Sequence, residues 1–262
     1  MKKRLNFETR AFGAEEDVPS ISELADWTGK QHGTDADLIS FLLERSLAVQ
    51  EAVTTACAGG CYYGDRWLGS ILGLRDRVLT AEPDIDASWV IKDARRIHAL
   101  RQHAWCALPG PSSLGIEDRH FGDTADFYDA LCHVFARLMR EMRDSGVAGH
   151  VLIGDGFTSI ELEDLAGKKV FFFAPGGTGR TIERILEVQD SVAVPARFLP
   201  QLLHLMGEYD VRRVALIDAG PEDYAAATGH FDPENIYAGG YCTGGCAAYW
   251  KEMGERAWTL QE

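Results

Sequence analysis

The chain has 262 residues, 46% of them hydrophobic and 25% charged, so it can bury a substantial core as one or two globular domains. Its net charge of -14 disfavours nucleic acid and anionic membranes as partners, because both repel an acidic surface. No apolar leader follows the basic start, and no segment reaches the ~18 apolar residues of a membrane span, which predicts a cytoplasmic location.

The first part of the chain, residues 1–146, is predicted to be a helical domain. Ser20-Ile-Ser-Glu23 has the pattern of a capping box, and Thr34-Asp-Ala-Asp37 carries a similar start signal. The apolar stripe that follows predicts a helix ending at Gly59-Gly60, with Cys57 in its last turn. Further helices are predicted over residues 66–81, 86–107 and 124–144.

The second part, residues 147–262, is predicted to be an α/β domain. Short apolar runs predict strands at 151–153, 169–173, 191–194 and 214–217, with helices over about 180–188 and 198–208. This alternation indicates a small parallel or mixed sheet with crossover helices. A hairpin closed by Gly154-Asp-Gly156 is an alternative connection between the first two strands. The predicted fold class is therefore mixed α/β.

Two C-x-G-G-C units, one in each part, carry the strongest functional signal. They are Cys57-Ala-Gly-Gly-Cys61 and Cys242-Thr-Gly-Gly-Cys246. Because cytosolic thiols tend to stay reduced, four such cysteines point to metal or thiol chemistry instead of disulfides. If both units converge at the junction of the parts, they supply four thiolates for an iron-sulfur cluster or zinc. We therefore predict a metal-centre enzyme, with redox chemistry as the expected reaction class.

Two other hypotheses remain for these cysteines. Cys246 opens a short predicted helix, whose dipole and free N–H groups stabilise a thiolate, so a metal-free dithiol or cysteine-nucleophile enzyme is one of them. The other is a non-enzymatic binding protein in which zinc only staples the two parts together.

A glycine-rich turn at residues 175–181 predicts a site for an anionic small molecule. It follows an apolar strand and opens a helix, so its backbone N–H groups can hold a phosphate or carboxylate. The residues expected to contact the ligand are Gly176, Gly177, Thr178, Gly179 and Arg180. The turn partly resembles that of short-chain-dehydrogenase-like Rossmann domains, matching Gly176 and Gly179 but with Ile182 in place of the third glycine. NAD(P) is therefore the less favoured ligand.

Two further side chains are candidates for acid–base chemistry. Asp218 ends a predicted strand, where active-site residues of α/β sheets commonly lie. His230 lies upstream of the second cysteine unit, with Asp232 nearby. With Cys246 they form the predicted catalytic set.

Overall fold

A computed structural model describes residues 3–31 and 35–261. The strands are β1 (Lys3–Asn6), β2 (Glu8–Ala14), β3 (Cys57–Gly59), β4 (Ile71–Arg75), β5 (Val78–Ile85), β6 (Trp105–Pro109), β7 (Glu117–Asp118), β8 (His150–Ile153), β9 (Val170–Phe173), β10 (Ser191–Pro195), β11 (Arg213–Ile217), β12 (Ile236–Cys242) and β13 (Trp258–Gln261). The helices are α1 (Ile21–Thr28), α2 (Leu38–Ala48), α3 (Gly64–Ser70), α4 (Ser88–Leu100), α5 (Thr124–Asp144), α6 (Ser159–Leu165), α7 (Gly179–Leu186), α8 (Leu199–Leu205), α9 (Pro221–Ala227) and α10 (Cys246–Arg256).

Within the described residues, eight of the strands run parallel and close into a barrel. One sheet has the order β10, β11, β12, β2, and the other has the order β3, β6, β8, β9. β2 joins the second sheet through the segment before β3, where Ala11 N donates to Thr55 O at 2.9 Å. At the β9–β10 seam, the Gln189 side-chain amide bonds both backbone groups of Phe172 and the carbonyl of Ser191.

Apolar side chains fill the barrel and cover its outer surface. Inside, Phe12 packs against Phe171 and Phe173, with ring centroids 5.0 and 5.2 Å apart. Outward side chains such as Leu152 and Val194 pack in two separate clusters beneath the surrounding helices. This arrangement follows from strands that are buried on both faces. Among the described residues, no helix is long and apolar enough to cross a membrane.

The sequence-based prediction of a mixed α/β fold with parallel strands and crossover helices is confirmed. The four strands predicted in the second part correspond to β8, β9, β10 and β11. β8 and β9 pair in parallel with α6 between them, so the alternative hairpin at Gly154–Gly156 is wrong. The predicted α5 and the Ser20–Glu23 capping box of α1 are both present. Thr34, the other predicted start signal, lies outside the described residues, and Asp37 caps α2.

The first part contains three barrel strands as well as helices. Cys57 begins β3 instead of ending a helix, since α2 stops at Ala48. The helix predicted over 66–81 is α3 followed by the β4–β5 hairpin, and the one over 86–107 is α4 followed by β6. The boundary predicted near residue 147 falls between α5 and β8. Strands from both sides of that boundary form the barrel.

Candidate functional site

A cavity of about 240 Å³ opens at the C-terminal end of the barrel. Its lining includes Cys61 after β3, Pro109 at the end of β6, Asp155 after β8, Pro175 after β9 and Tyr241 near the end of β12. The carboxyl ends of parallel strands meet at one edge, and α/β barrels carry their active sites on the loops there. This cavity is therefore the candidate functional site.

The Glu15 carboxylate connects two groups in the wall of this cavity. Glu15 follows β2, and its Oε1 accepts hydrogen bonds from the Tyr241 hydroxyl at 2.6 Å and from the Cys61 backbone N–H at 2.5 Å. The Cys61 Sγ lies 3.7 Å from the Tyr241 hydroxyl oxygen. Carboxylate, phenol and thiol form one connected group, which we call the proton-transfer cluster (Glu15, Cys61 and Tyr241).

Gly59 and Gly60 allow the backbone before Cys61 to pass close to Glu15. Gly59 has a φ of +82°, in the left-handed region, and a side chain there would collide with the Ala107 carbonyl. A Cβ on Gly60 would lie 2.7 Å from the Glu15 Oε1, as well as overlapping a neighbouring backbone oxygen. The glycine pair of the first C-x-G-G-C unit is thus explained by close packing of backbone and carboxylate, without a metal.

The surroundings of the cluster keep both of its acidic hydrogens in place near neutral pH. Partial burial of the Cys61 thiol, together with the negative charge of Glu15, raises the pKa of Cys61 to about 11. Burial and the hydrogen bond to Glu15 raise the pKa of Tyr241 well above its usual value. Since a thiolate or phenolate beside the carboxylate is disfavoured, the site holds a neutral thiol and a neutral phenol.

The β4–β5 hairpin brings a positive charge to the cavity. Its two-residue turn, Asp76-Arg77, has φ values of 49° and 62°, as hairpins of this length require. The Arg77 guanidinium donates to Leu114 O at 2.8 Å and to Asp65 Oδ1 at 3.1 Å, and Arg77 and Asp65 both line the cavity. Together with Asp155, the cavity wall therefore presents one cation and two carboxylates.

The four cysteines predicted as metal ligands do not form one site. Cys242 and Cys246 are joined in a disulfide where β12 meets α10. Cys57 is fully buried inside the barrel, and burial raises the pKa of its thiol, whereas Cys61 is exposed at the cavity. No group of three or more His, Cys, Asp or Glu side chains within residues 3–31 and 35–261 is arranged to hold a metal ion. The predicted four-thiolate centre is therefore wrong.

The predicted catalytic residues are distributed over both ends of the barrel. Asp218 directly follows β11 on the cavity side, has a φ of 56°, and accepts a hydrogen bond from the Tyr249 hydroxyl at 2.8 Å. That hydroxyl accepts one from Tyr241 N at 3.0 Å, so Asp218 reaches the cluster through one intervening side chain. His230 is exposed in the loop before β12, at the opposite end. Cys246, the third member, is the disulfide partner of Cys242.

The glycine-rich turn lies at the cavity end, between β9 and α7. Pro175 lines the cavity, and the Thr181 hydroxyl donates to Asp155 O at 3.2 Å. A Cβ on Gly176 would lie 2.8 Å from an Asp155 carboxylate oxygen, so an acidic group faces the start of the turn. Arg180 is exposed.

Sequence reasoning missed three groups at the site: Glu15, Arg77 and the hydroxyl of Tyr241. Glu15 and Tyr241 come from opposite ends of the chain, and only the pairing of β2 with β12 brings them together. A usable signal was the apolar run that ends at Ala14 and is followed at once by Glu15. Acidic residues directly after a buried strand are typical of active sites in parallel sheets.

Comparison with known proteins shows the fold but no family. No family model and no curated protein matches the sequence. The structure is similar to that of a B12-independent methionine synthase from Shewanella sp. W3-18-1 in complex with selenomethionine, with a TM-score of 0.61 and 15% sequence identity. The alignment covers 97% of this chain and 96% of that chain. The donor geometry of the described residues does not supply the predicted iron-sulfur or zinc centre, so the prediction of a redox enzyme built on that centre is wrong.

Proposed function

We propose that the protein is an enzyme that moves protons to and from a small molecule held at the C-terminal end of the barrel. The hydrogen bond from the Tyr241 hydroxyl to Glu15 Oε1, 2.6 Å long and beside the cavity, carries this proposal. A carboxylate bonded to a phenol that faces a cavity is a usable acid–base pair. The position at the carboxyl ends of the strands supports the same conclusion.

The proposed proton transfer follows from the arrangement of the groups, in which the Tyr241 hydroxyl lies between the cavity and the Glu15 carboxylate. A proton leaving the substrate passes to the Tyr241 oxygen while the phenol's own proton passes to Glu15, so that no phenolate forms beside a carboxylate. The reverse sequence returns the proton to another position of the substrate. The Cys61 thiol, 3.7 Å from the phenol oxygen, is a second neutral donor in the cavity wall.

The size and charge of the cavity support a small zwitterion as the substrate. Its volume of about 240 Å³ is below the ~300–1,000 Å³ of typical ligand pockets. Asp155 can pair with an ammonium group, and Arg77 can pair with a carboxylate. The structurally similar methionine synthase was solved with selenomethionine, which is an amino acid of this class. In this proposal the predicted anionic group is the carboxylate, bound at Arg77 or at the 175–181 turn.

Exchange of substrate hydrogen with solvent tests the reaction. Wild-type protein is incubated in D₂O with a panel of L-amino acids, and loss of the Cα proton signal is followed by NMR. We expect exchange for at least one of them, and a fall of about 100-fold or more in Glu15→Gln and Tyr241→Phe. Tyr209→Phe, in the turn that follows α8, is the matched control and should keep the rate. Unchanged exchange in both cluster variants would overturn the proposal.

Two arginine variants locate the carboxylate. If it binds at the hairpin, Arg77→Gln raises the amino-acid concentration needed for half-maximal exchange and Arg180→Gln does not. The opposite result assigns the carboxylate to the glycine-rich turn. If neither variant changes the concentration dependence, the substrate carries no anionic group bound by arginine.

The cytoplasmic location remains a proposal based on the sequence. The Cys242–Cys246 disulfide gives it a direct test, because thiols of cytoplasmic proteins are generally kept reduced. Free thiols can be trapped with N-ethylmaleimide in intact cells and identified by mass spectrometry. If the protein is cytoplasmic, Cys242 and Cys246 should both be found as free thiols. A fully oxidised pair would favour an oxidising compartment.

A further inference from the structure

The N-terminal end of the barrel contains a partly buried guanidinium without an acidic partner among the described residues. Arg10 extends from β2 among the rings of Phe12, Trp105 and Phe171, at 5.3, 4.7 and 4.9 Å from their centroids. Its Nη2 is buried and has no hydrogen-bond partner among the described residues. Aromatic faces attract a cation, but they do not satisfy the N–H groups of a guanidinium.

The positive charge of Arg213 adds to the cost of burying Arg10. Burial lowers the pKa of Arg10, and the positive charge of Arg213 lowers it further. A guanidinium does not lose its proton in proteins, so the site stays positively charged. Buried charges are normally paired, because an unpaired one loses its hydration without compensation. An unpaired buried cation is all the more unexpected in a chain with a net charge of -14.

A second cavity, of about 770 Å³, opens onto this guanidinium. Its wall contains Arg10, Trp105, Gln189, Ser191 and Arg213, which lie at or near the starts of their strands. We call it the basal cavity. The packed rings of Phe12, Phe171 and Phe173 lie between it and the C-terminal end of the barrel.

Of the three carboxylates that line the basal cavity, Asp190 and Asp210 are already engaged, and the third is Glu187. Asp190 and Asp210 both pair with Arg212, at 3.7 and 2.7 Å, and the Ser191 hydroxyl also donates to Asp190. Neither carboxylate bonds Arg10. Arg10, Arg213 and Lys168 therefore bring three positive charges to the wall, against the one remaining carboxylate, Glu187.

We propose that the basal cavity binds a small oxyanion, a phosphate or carboxylate group, held by the Arg10 guanidinium with Arg213 at the entrance. A guanidinium presents two parallel N–H groups to such an anion, and the aromatic walls around it exclude water and strengthen the pairing. This site is separate from the proton-transfer cluster and does not depend on it. Its ligand is an anion without a requirement for an ammonium group.

Calorimetric titration of the full chain with inorganic phosphate, and separately with acetate, tests the proposal at constant ionic strength. We expect saturable binding of one or both, weakened at least tenfold in Arg10→Gln and in Arg213→Gln. Arg140→Gln, which removes an exposed arginine from α5, is the matched control and should bind like the wild type. Binding of phosphate but not acetate assigns a phosphate ligand, and the reverse assigns a carboxylate.

Thermal stability provides an independent readout that needs no activity. Without an anion, Arg10→Gln should unfold at a higher temperature than the wild type, because an unpaired buried charge is removed. With saturating anion the order should reverse, since only the wild type gains stability by binding. Arg213→Gln serves if Arg10→Gln does not fold. Absence of anion binding to the wild type, or equal binding by all variants, would overturn the proposal.

Discussion

The Cys61 backbone N–H and the Tyr241 hydroxyl both donate to the Glu15 carboxylate, whose negative charge adds to burial in raising the pKa of the Cys61 thiol. Cys61 is also the exposed free cysteine among the described residues, since Cys57, Cys106 and Cys132 are buried and the other two form a disulfide. Alkylation under native conditions therefore reports on this one side chain.

We predict slow alkylation of Cys61 by iodoacetamide at pH 8, with a rate that rises about tenfold per pH unit toward pH 11. The reason is the pKa of about 11, because only the thiolate reacts. Glu15→Gln removes the adjacent negative charge, lowers the pKa and should raise the rate at pH 8. Mass spectrometry of the alkylated protein measures the rate, with Cys61→Ser as the blank. An unchanged rate in Glu15→Gln would show that the carboxylate does not influence the thiol.

His150 makes the fold sensitive to acid. It is fully buried on β8, neither ring nitrogen has a hydrogen-bond partner among the described residues, and burial lowers its pKa to about 3. The unfolded chain binds a proton below about pH 6.5 and the folded chain does not, so stability is complete above that pH and falls as the pH drops toward 3. By pH 5 the loss is roughly 2 kcal/mol.

We expect His150→Leu to lose that much less stability than the wild type between pH 7.5 and pH 5. Urea unfolding at the two pH values measures the difference. His133→Gln changes an exposed histidine of α5 and should behave like the wild type. The same pH dependence in His150→Leu would locate the acid sensitivity elsewhere.

The β9–β10 seam depends on a side chain in place of a backbone ladder. The Gln189 amide accepts from Phe172 N at 3.0 Å and donates to Phe172 O at 3.2 Å and to Ser191 O at 2.7 Å. Removing this amide leaves three backbone groups without their partner. One side chain, that of Gln189, therefore supplies these three hydrogen bonds at the seam between β9 and β10.

Gln189→Ala should destabilise the protein by about 1–3 kcal/mol, the cost of leaving buried polar groups unsatisfied. Gln102→Ala, at an exposed position, should change stability by less than about 0.5 kcal/mol. Chemical denaturation measures both. Equal stability of the two variants would mean that water replaces the amide at the seam.

Elements with a clear period or cap were predictable from the sequence, and short buried strands were not. α5 is long and has apolar residues at helical spacing, so its predicted bounds match. β3 has only three residues, all buried, and β6 follows α4 after a few residues without a change in apolar content. A strand buried on both faces has no polar alternation to mark it. The helical predictions for residues 57 and 105–107 were wrong for this reason. Residues 71–81 belong instead to a largely exposed hairpin, whose turn Asp76-Arg77 lacks the glycine typical of two-residue hairpins.

The candidate site could be predicted only in part, because some of its residues meet through contacts between distant parts of the chain. Cys61, Asp218 and the 175–181 turn were recognised because their local sequences are distinctive. The role of Glu15 depends on β2 pairing with β12, more than 200 residues apart in the chain. No local pattern encodes that pairing. The two C-x-G-G-C units likewise share a spacing but differ in structure. The first, Cys57–Cys61, forms a strand-to-helix turn, and the second, Cys242–Cys246, forms a disulfide.

We predict that the whole chain unfolds in one cooperative transition. β2 is hydrogen-bonded both to β12 and to the segment before β3, and each of the two barrel sheets takes strands from residues 1–146 and from residues 147–262. Differential scanning calorimetry should give a single peak with equal calorimetric and van't Hoff enthalpies. Two resolved peaks would instead support the division into two domains near residue 147.

The hairpin that carries Arg77 lies outside the barrel hydrogen bonding, because β4 and β5 pair only with each other and with β7 among the described strands. Its tip can therefore change in length and charge while the eight barrel strands keep their register. In the proposed function, the tip then sets the charge that faces the substrate, whereas Ile71 and Leu79 of the same hairpin are buried in the core. The proposal therefore implies that substitutions at Asp76 and Arg77 alter the choice of substrate while Glu15 and Tyr241 stay in place.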